Sequence, residues 1–120
     1  MKKVLIVDDA AFMRLAIKTI LSKDGSIEFL EASNGIEAVQ MYKEYKPEVV
    51  TMDITMPDMT GIEALKLIME IDSKAKVVMI SAMGQESLVK EAIVYGAKTF
   101  IVKPFKEDYV ISTIHKLLVI

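Results

Sequence analysis

A chain of 120 residues, 52% of them hydrophobic, is one domain with enough apolar material for a real core. Fifteen basic against seventeen acidic residues leave a net charge of −2, so no basic excess exists to grip a nucleic-acid backbone. There is no cysteine, which excludes a disulfide framework and a thiolate metal site, and no apolar run approaches the roughly 18 residues of a membrane span.

Met1-Lys2-Lys3 mimics the start of a signal peptide, but the apolar run at 4–7 is short and ends in Asp8-Asp9. A cytoplasmic chain without a leader is therefore expected. That run reads as a first strand. Met13, Ile17, Ile20 and Leu21 then mark a helical stripe, with Lys23-Asp24-Gly25 supplying a glycine stop. The run at 27–32 carries Glu28 and Glu31 and predicts an edge strand. Asn34-Gly35-Ile36-Glu37 opens the next helix and Pro47 closes it. Residues 49–52 form a third strand that runs into Asp53. Thr60-Gly61-Ile62-Glu63 has the spacing of a capping box, followed by Leu65, Ile68 and Met69. The run at 77–80 leads to Ser81, and Leu88, Ala92 and Ile93 predict a fourth helix closed by Tyr95-Gly96. A fifth run, 99–102, ends at Lys103-Pro104, and Val110, Ile114, Leu117 and Leu118 give the last stripe.

The pattern is strand then helix, five times over. It predicts a doubly wound α/β fold with a parallel sheet and right-handed crossovers. All runs but the second are nearly continuous apolar, as expected of parallel strands covered on both faces. Residues 1–120 are expected to be a single domain with no output domain attached.

Two of these strands run directly into acids and one into a lysine. In an open α/β sheet the carboxyl ends of the strands are where sites are built. Were the first and third strands neighbours, Asp8, Asp9 and Asp53 would lie within a few ångströms. Carboxylates about 5 Å apart repel by roughly 3 kcal/mol per pair at an effective dielectric near 20. A cation or a bound proton relieves such a cluster. Oxygen ligands without histidine or cysteine favour Mg²⁺ over zinc. With Lys103 beside them, these residues suit the stabilisation of a transferring phosphoryl group, and a carboxylate can itself be the nucleophile. An aspartate after a strand often only caps a helix. The Asp8-Asp9 pair together with Asp53 and Lys103 is a stronger pattern than capping explains. Ser81 alone reads equally as a turn hydroxyl or a phosphate donor. His115 and the lysines at 2, 3, 74 and 76 read as solvated surface, and Met52, Met56 and Met59 as packing.

The segments VLIVDD, TMDITMPDMTG, VVMISAMG and GAKTFIVKPF, in that order, resemble the receiver domains of two-component signalling along essentially the whole chain. The wording DDAAFMR and SAMGQ is similar to that of the single-domain chemotaxis regulators. The resemblance implies a flavodoxin-like three-layer sandwich with strand order 2-1-3-4-5. It implies Asp53 as phosphoacceptor. Asp9 would be a direct ligand of Mg²⁺ (Mn²⁺ being an alternative), with Asp53, the Thr55 main-chain carbonyl and, indirectly, Asp8. Lys103 would contact the phosphoryl group, with Lys103-Pro104 cis; Ser81 and the Ala82 N–H would bind it as well. Ser81 and Phe100 would form the switch, Phe100 standing where many relatives have tyrosine. Glu86, Val89, Lys90, Ile93, Phe100 and Tyr109 would form the partner face, although Val89 and Ile93 read equally well as core. Thr55 and Met83 stand where many relatives carry amide or acidic groups that orient water, so phosphate loss no faster than in a typical relative is expected.

The implied partners are a chemotaxis-type histidine kinase, a flagellar motor switch or archaeal motor adaptor, and a phosphatase, with no nucleic acid or membrane, the chain being monomeric. The implied protein is no enzyme beyond its own phosphoryl uptake and loss. An alternative within the family is a phosphorelay intermediate that docks a histidine phosphotransfer protein around Met13, Arg14 and Ile17. Two other classes fit less well. Haloacid dehalogenase-type phosphohydrolases want a second acid two residues after the nucleophile, where this chain has Thr55. A flavin carrier's phosphate would be repelled by Asp8-Asp9.

Overall fold

The computed structural model describes residues 1–120. In chain order the elements are β1 (Lys2–Val7), α1 (Ala11–Leu21), β2 (Ile27–Ala32), α2 (Gly35–Tyr45), β3 (Val49–Asp53), α3 (Gly61–Ile71), β4 (Val77–Ser81), α4 (Glu86–Val94), β5 (Thr99–Val102) and α5 (Glu107–Leu118). The strands form one parallel sheet in the order β2-β1-β3-β4-β5. The doubly wound fold and its strand order are as expected.

Alternation along the strands sends side chains to two cores. Leu5, Val7, Val50, Met52, Val77 and Met79 pack with Ala38, Leu65 and Ala92 beneath α2, α3 and α4. Val4, Ile6, Val49, Val78, Ile80 and Ile101 pack with Ile17, Ile114 and Leu117 beneath α1 and α5. Because the side-chain period of a strand is two, this register decides the site. Asp8 continues the Val4-Ile6 series, Asp53 the Val49-Thr51 series and Lys103 follows Ile101. All three therefore belong to the α1/α5 face of the sheet.

Local chemistry fixes the helix ends. The Asn34 side chain accepts from the Glu37 N–H at the start of α2, and Lys46, in the left-handed region at φ 44°, ends that helix before Pro47. Thr60 and Glu63 form the expected capping box at 3.2 and 3.0 Å. Gly96, at φ +111°, closes α4 where a side chain would be strained.

Several expectations are corrected. The run at 99–102 is an edge strand, with Ile101 buried while Phe100 and Val102 are exposed; only one face of it meets a helix core. On α4 the buried positions are Val89 and Ala92, and Leu88 and Ile93 face outward. Ala92 of the expected stripe is core, but Val89 and not Leu88 or Ile93 joins it, because apolar residues occur on both sides of this short helix. Gly25 is not a helix cap: α1 ends at Ser22 with ordinary right-handed geometry, and Gly25 does not adopt positive φ. Lys2 and Lys76 are not simply solvated. Their ammonium groups bind the last carbonyls of α5, Lys2 on Leu118 and Lys76 on Leu117 at 2.5 Å. That places positive charge at the negative end of the helix dipole. His115 is on the surface as expected, with its Nε2 3.1 Å from Asp24 Oδ2.

Candidate functional site

The site is assembled by strand ends. β1 and β3 are hydrogen-bonded neighbours, with Val7 opposite Met52, so Asp8 and Asp53 follow side by side. Asp8, Asp9 and Asp53 offer carboxylate oxygens that all lie within 4.8 Å of one another. Asp8 is 2% exposed and Asp53 8%, while Asp9 is open to solvent. The Ala10 N–H donates to Asp8 Oδ1 at 2.9 Å, and the Arg14 guanidinium donates to the Asp8 carbonyl at 2.7 Å. Arg14 also donates to Glu31 at 3.0 Å, tying α1 to β2 behind the acids.

Lys103 completes the cluster. Its Nζ stands 3.5 Å from Asp8 Oδ2 and 3.6 Å from Asp53 Oδ1. The Lys103 N–H also donates to the Ser81 carbonyl at 2.7 Å, so the lysine is carried on an extension of the β4–β5 ladder. The Lys103-Pro104 peptide is cis.

Electrostatics at Asp53 are unfavourable to charge. Burial raises its pKa first, and the Asp8 carboxylate adds to the rise. Lys103 opposes these effects, Asp9 raises it further, and a backbone bond from Ile54 lowers it, leaving the group at about 6. A buried carboxylate held among two others is a group that would be relieved by a cation. The donor set is all oxygen, and one of its members opens to solvent. The cluster therefore fits a hard divalent ion such as Mg²⁺ that retains waters.

Three features were not anticipated from the sequence. Gly61 opens α3 directly against the end of β3; a Cβ there would lie 2.0 Å from the Asp53 carbonyl oxygen. The glycine inside the Thr60–Glu63 box is the signal that could have revealed this approach. Arg14, which the phosphorelay alternative would place on a docking surface, is engaged by the Asp8 carbonyl and Glu31, and Ile17 is core. On α1 the exposed apolar residues are instead Phe12 and Leu15. Third, the Gln85 amide joins two loops of the site: Ala82 N–H donates to its Oε1 at 2.7 Å, and its Nε2 donates to Thr55 Oγ1 at 3.0 Å.

Ser81 is buried at the end of β4, and a groove of about 540 Å³ runs from it along α4 and β5. Ser81, Met83, Val89, Ile93, Phe100 and Val102 contribute to its walls. Phe100 stands half out of it at 39% exposure. Of the expected partner face, Glu86, Lys90, Ile93, Phe100 and Tyr109 are exposed. Val89 is buried and belongs to the core beneath α4, because the helix is rotated to put residues 89 and 92 inward.

Residues 4–115 match the family described as the response regulator receiver domain. The chain belongs to that family. As a receiver domain it is 59% identical to the chemotaxis protein CheY of Bacillus subtilis over 116 residues, covering 97% of each chain. It is 58% identical to the chemotaxis protein CheY of Thermotoga maritima, again over 97% of each. Among solved structures, the response regulator domain of Thermotoga maritima CheB superposes with a TM-score of 0.84 at 38% identity, covering 98% of this chain and 93% of that one. The similar proteins are signalling proteins, and the receiver fold accounts for the whole sheet and all its helices. No helix is long and apolar enough to cross a membrane.

Proposed function

We propose that this receiver is a phosphorylation-activated response regulator of chemotaxis, with Asp53 as phosphoacceptor. The observation that carries the reading is the placement of Asp53: nearly buried, 3.6 Å from Lys103, within 4.8 Å of both other acids and driven up to about 6. An acid so placed has much to gain from neutralisation.

Asp9, Asp53 and the Thr55 carbonyl, with Asp8 acting indirectly, would hold Mg²⁺, which when bound would neutralise the acids and the oxygens of a transferring phosphoryl group. The chain's own residues do the rest. An Asp53 carboxylate oxygen attacks the phosphorus of a phosphohistidine on a histidine kinase. The P–O bond to Asp53 forms as the P–N bond breaks, and the electron pair returns to the donor imidazole. Lys103 already faces Asp53 and supplies positive charge to the incoming oxygens. Ser81 and the Ala82 N–H, at the end of β4, supply donors on the adjoining strand. Hydrolysis of the acyl phosphate by water returns Asp53. Thr55 and Met83 offer little to orient that water, Met83 being apolar and 77% exposed, so the phosphate is lost no faster than in a typical relative.

Ser81 moving toward the phosphoryl oxygens draws its loop inward, and the groove between Ser81 and Phe100 gives the aromatic ring space to follow. Solvent-facing and inward-facing Phe100 are two packings of one structure, and phosphorylation shifts the balance between them. The surface that changes is that of Glu86, Lys90, Ile93, Phe100 and Tyr109. We assign this surface to a flagellar motor switch or archaeal motor adaptor. The protein acts as a cytoplasmic monomer. It catalyses only its own phosphoryl uptake and loss, and a phosphatase resets it.

The test is a pull-down from lysate of the source organism. The bait carries Mg²⁺ and beryllofluoride, an aspartyl-phosphate mimic, and an Asp53→Asn bait serves as control. Recovery of a motor-switch or motor-adaptor protein on the loaded bait alone is expected. Recovery of only kinase or histidine-phosphotransfer proteins would replace this reading with a phosphorelay intermediate. Equal recovery on both baits would show that Asp53 is not the switch.

A further inference from the structure

The Ala82 N–H follows the buried Ser81 directly, at the carboxyl end of the strand beside the phosphoacceptor strand. In this structure it is already taken: it donates to Gln85 Oε1 at 2.7 Å. The other end of the same amide donates to Thr55 Oγ1, two residues past Asp53, at 3.0 Å. Gln85 thus spans the gap between the β3–α3 and β4–α4 loops, the two loops that flank Asp53. The Ala82 bond fixes the amide's orientation, since a flipped group would set the Gln85 NH₂ against the Ala82 N–H, while the Thr55 hydroxyl could pair with either end.

The position of Gln85 makes this bridge conspicuous. It is the N-cap residue of α4, yet its side chain makes no cap hydrogen bond. Serine, threonine, aspartate or asparagine would stabilise the helix start better. Gly84 precedes it at φ +88°, a backbone conformation that carries the chain from Ala82 round into the helix and lets residue 85 reach back. The side chain is half-buried, and it serves the site loops and not its own helix.

We propose that Gln85 is a positioning residue that holds the unmodified state, by occupying the backbone amide that an anion on Asp53 has to recruit. The inference rests on Asp53 being the phosphoacceptor. An anion on Asp53 displaces Gln85 from Ala82, and with that the tie to Thr55 is released and the Ser81-Ala82 segment is free to move toward the anion. Gln85 therefore sets a threshold for activation: the stronger its hold on Ala82, the more weakly the anion binds.

The experiment is a titration of the full chain with beryllofluoride at saturating Mg²⁺, followed by calorimetry, for wild type, Asp53→Asn, Gln85→Met and Gln85→Glu. Methionine keeps the length of the side chain and lacks both bonds. Its variant is expected to bind about fivefold more tightly, the worth of one net hydrogen bond. Glutamate accepts from Ala82 more strongly and brings negative charge toward the anion, so its variant is expected to bind at least about fivefold more weakly. Opposite shifts from one position are not what a merely loosened loop produces. Wild-type affinity in Gln85→Met, with binding still dependent on Asp53, overturns the role of Gln85 and leaves the phosphoacceptor intact. Wild-type binding that survives in Asp53→Asn, or is absent altogether, overturns both. A second measurement needs no variant: the Gln85 side-chain NH₂ resonances of wild type should move toward solvent-exposed values on loading. Resonances that stay in place on a loaded chain would overturn the proposal.

Discussion

Asp53→Asn should stabilise the metal-free chain. The folded environment moves the Asp53 carboxyl from 3.8 to about 6, a net result that already includes the attraction of Lys103. A shift of that size corresponds to about 3 kcal/mol against the charged form. With 11% exposure, the side chain has little solvent to screen this cost. The sign follows from linkage: the folded state holds the proton more tightly than the unfolded state, so stability falls as pH rises between the two values. The cost is absent below about 4, accumulates to about 6 and is complete above that. Asparagine never carries it. Urea unfolding in EDTA at several pH values between 4 and 8, for wild type and variant, isolates Asp53 from the other carboxylates. Glu37, Glu63, Asp72 and Asp24 are all held below their usual range, chiefly by hydrogen bonds, and they change stability in the opposite direction in both proteins. The variant should be more stable by about 2–3 kcal/mol at pH 8, and the gap should close toward pH 4. A variant less stable than wild type, or a gap that does not change with pH, would refute the account of the acid cluster. Adding Mg²⁺ should then stabilise wild type and leave Asp53→Asn almost unmoved.

Four further changes have defined outcomes. Gly61→Ala puts a Cβ 2.0 Å from the Asp53 carbonyl oxygen and should cost about 3 kcal/mol or more in urea unfolding; an unchanged midpoint would mean the approach is not tight. Thr51 Oγ1 is buried without a protein partner beneath Asp53, so Thr51→Val should raise stability by about 1 kcal/mol, and a loss of stability would show that the hydroxyl is in use. Met83→Glu places a carboxylate near the site loops and should speed phosphate loss after loading from a small phosphodonor; an unaltered rate sinks the lifetime argument. Phe100→Ala empties the half-exposed edge of the α4–β5 groove and should abolish most of the difference in partner affinity between free and beryllofluoride-loaded chain; wild-type discrimination would rule out the aromatic switch.

What the sequence revealed and what it concealed divide along a physical line. Asp8, Asp53 and Lys103 each follow a short apolar run, and a strand's period of two fixes which side of the sheet they reach once the run is recognised. The capping box at Thr60 and the asparagine cap at Asn34 are likewise local, and both appear in the structure. α4 was harder. Leu88, Val89, Ile93 and Val94 leave two apolar sides, and the choice between them is made by packing, with Val89 and Ala92 inward. β5 reads as a buried strand because Phe100 and Val102 are apolar; their exposure follows from its place at the sheet edge, which composition does not encode. Gln85 carried no local signal at all. Its two bonds cross between loops that meet only after β3 and β4 pair, 30 residues apart in sequence at the Thr55 end.

The two faces of the sheet are suited to different tasks. Beneath the acids, Ile6, Ile17, Ile80, Ile101 and Ile114 form a dense branched core, and Asp8 is pinned by Ala10 and Arg14. Such a floor resists the repulsion of three carboxylates by holding them in place, since a packed core does not deform continuously. Across the sheet, the wall of α4 facing β5 is open: a groove of about 540 Å³ adjoins Ser81, and Phe100 and Val102 form its β5 edge. A charge change at Asp53 cannot relax toward the rigid floor. On the proposed reading it is relieved through the Ser81-Ala82 segment, where Gln85 is the tie to break, and then through Phe100, which lines the groove. The proposed direction of signalling, from acid cluster to the α4–β5 surface, thus follows the side of the sheet on which the groove lies.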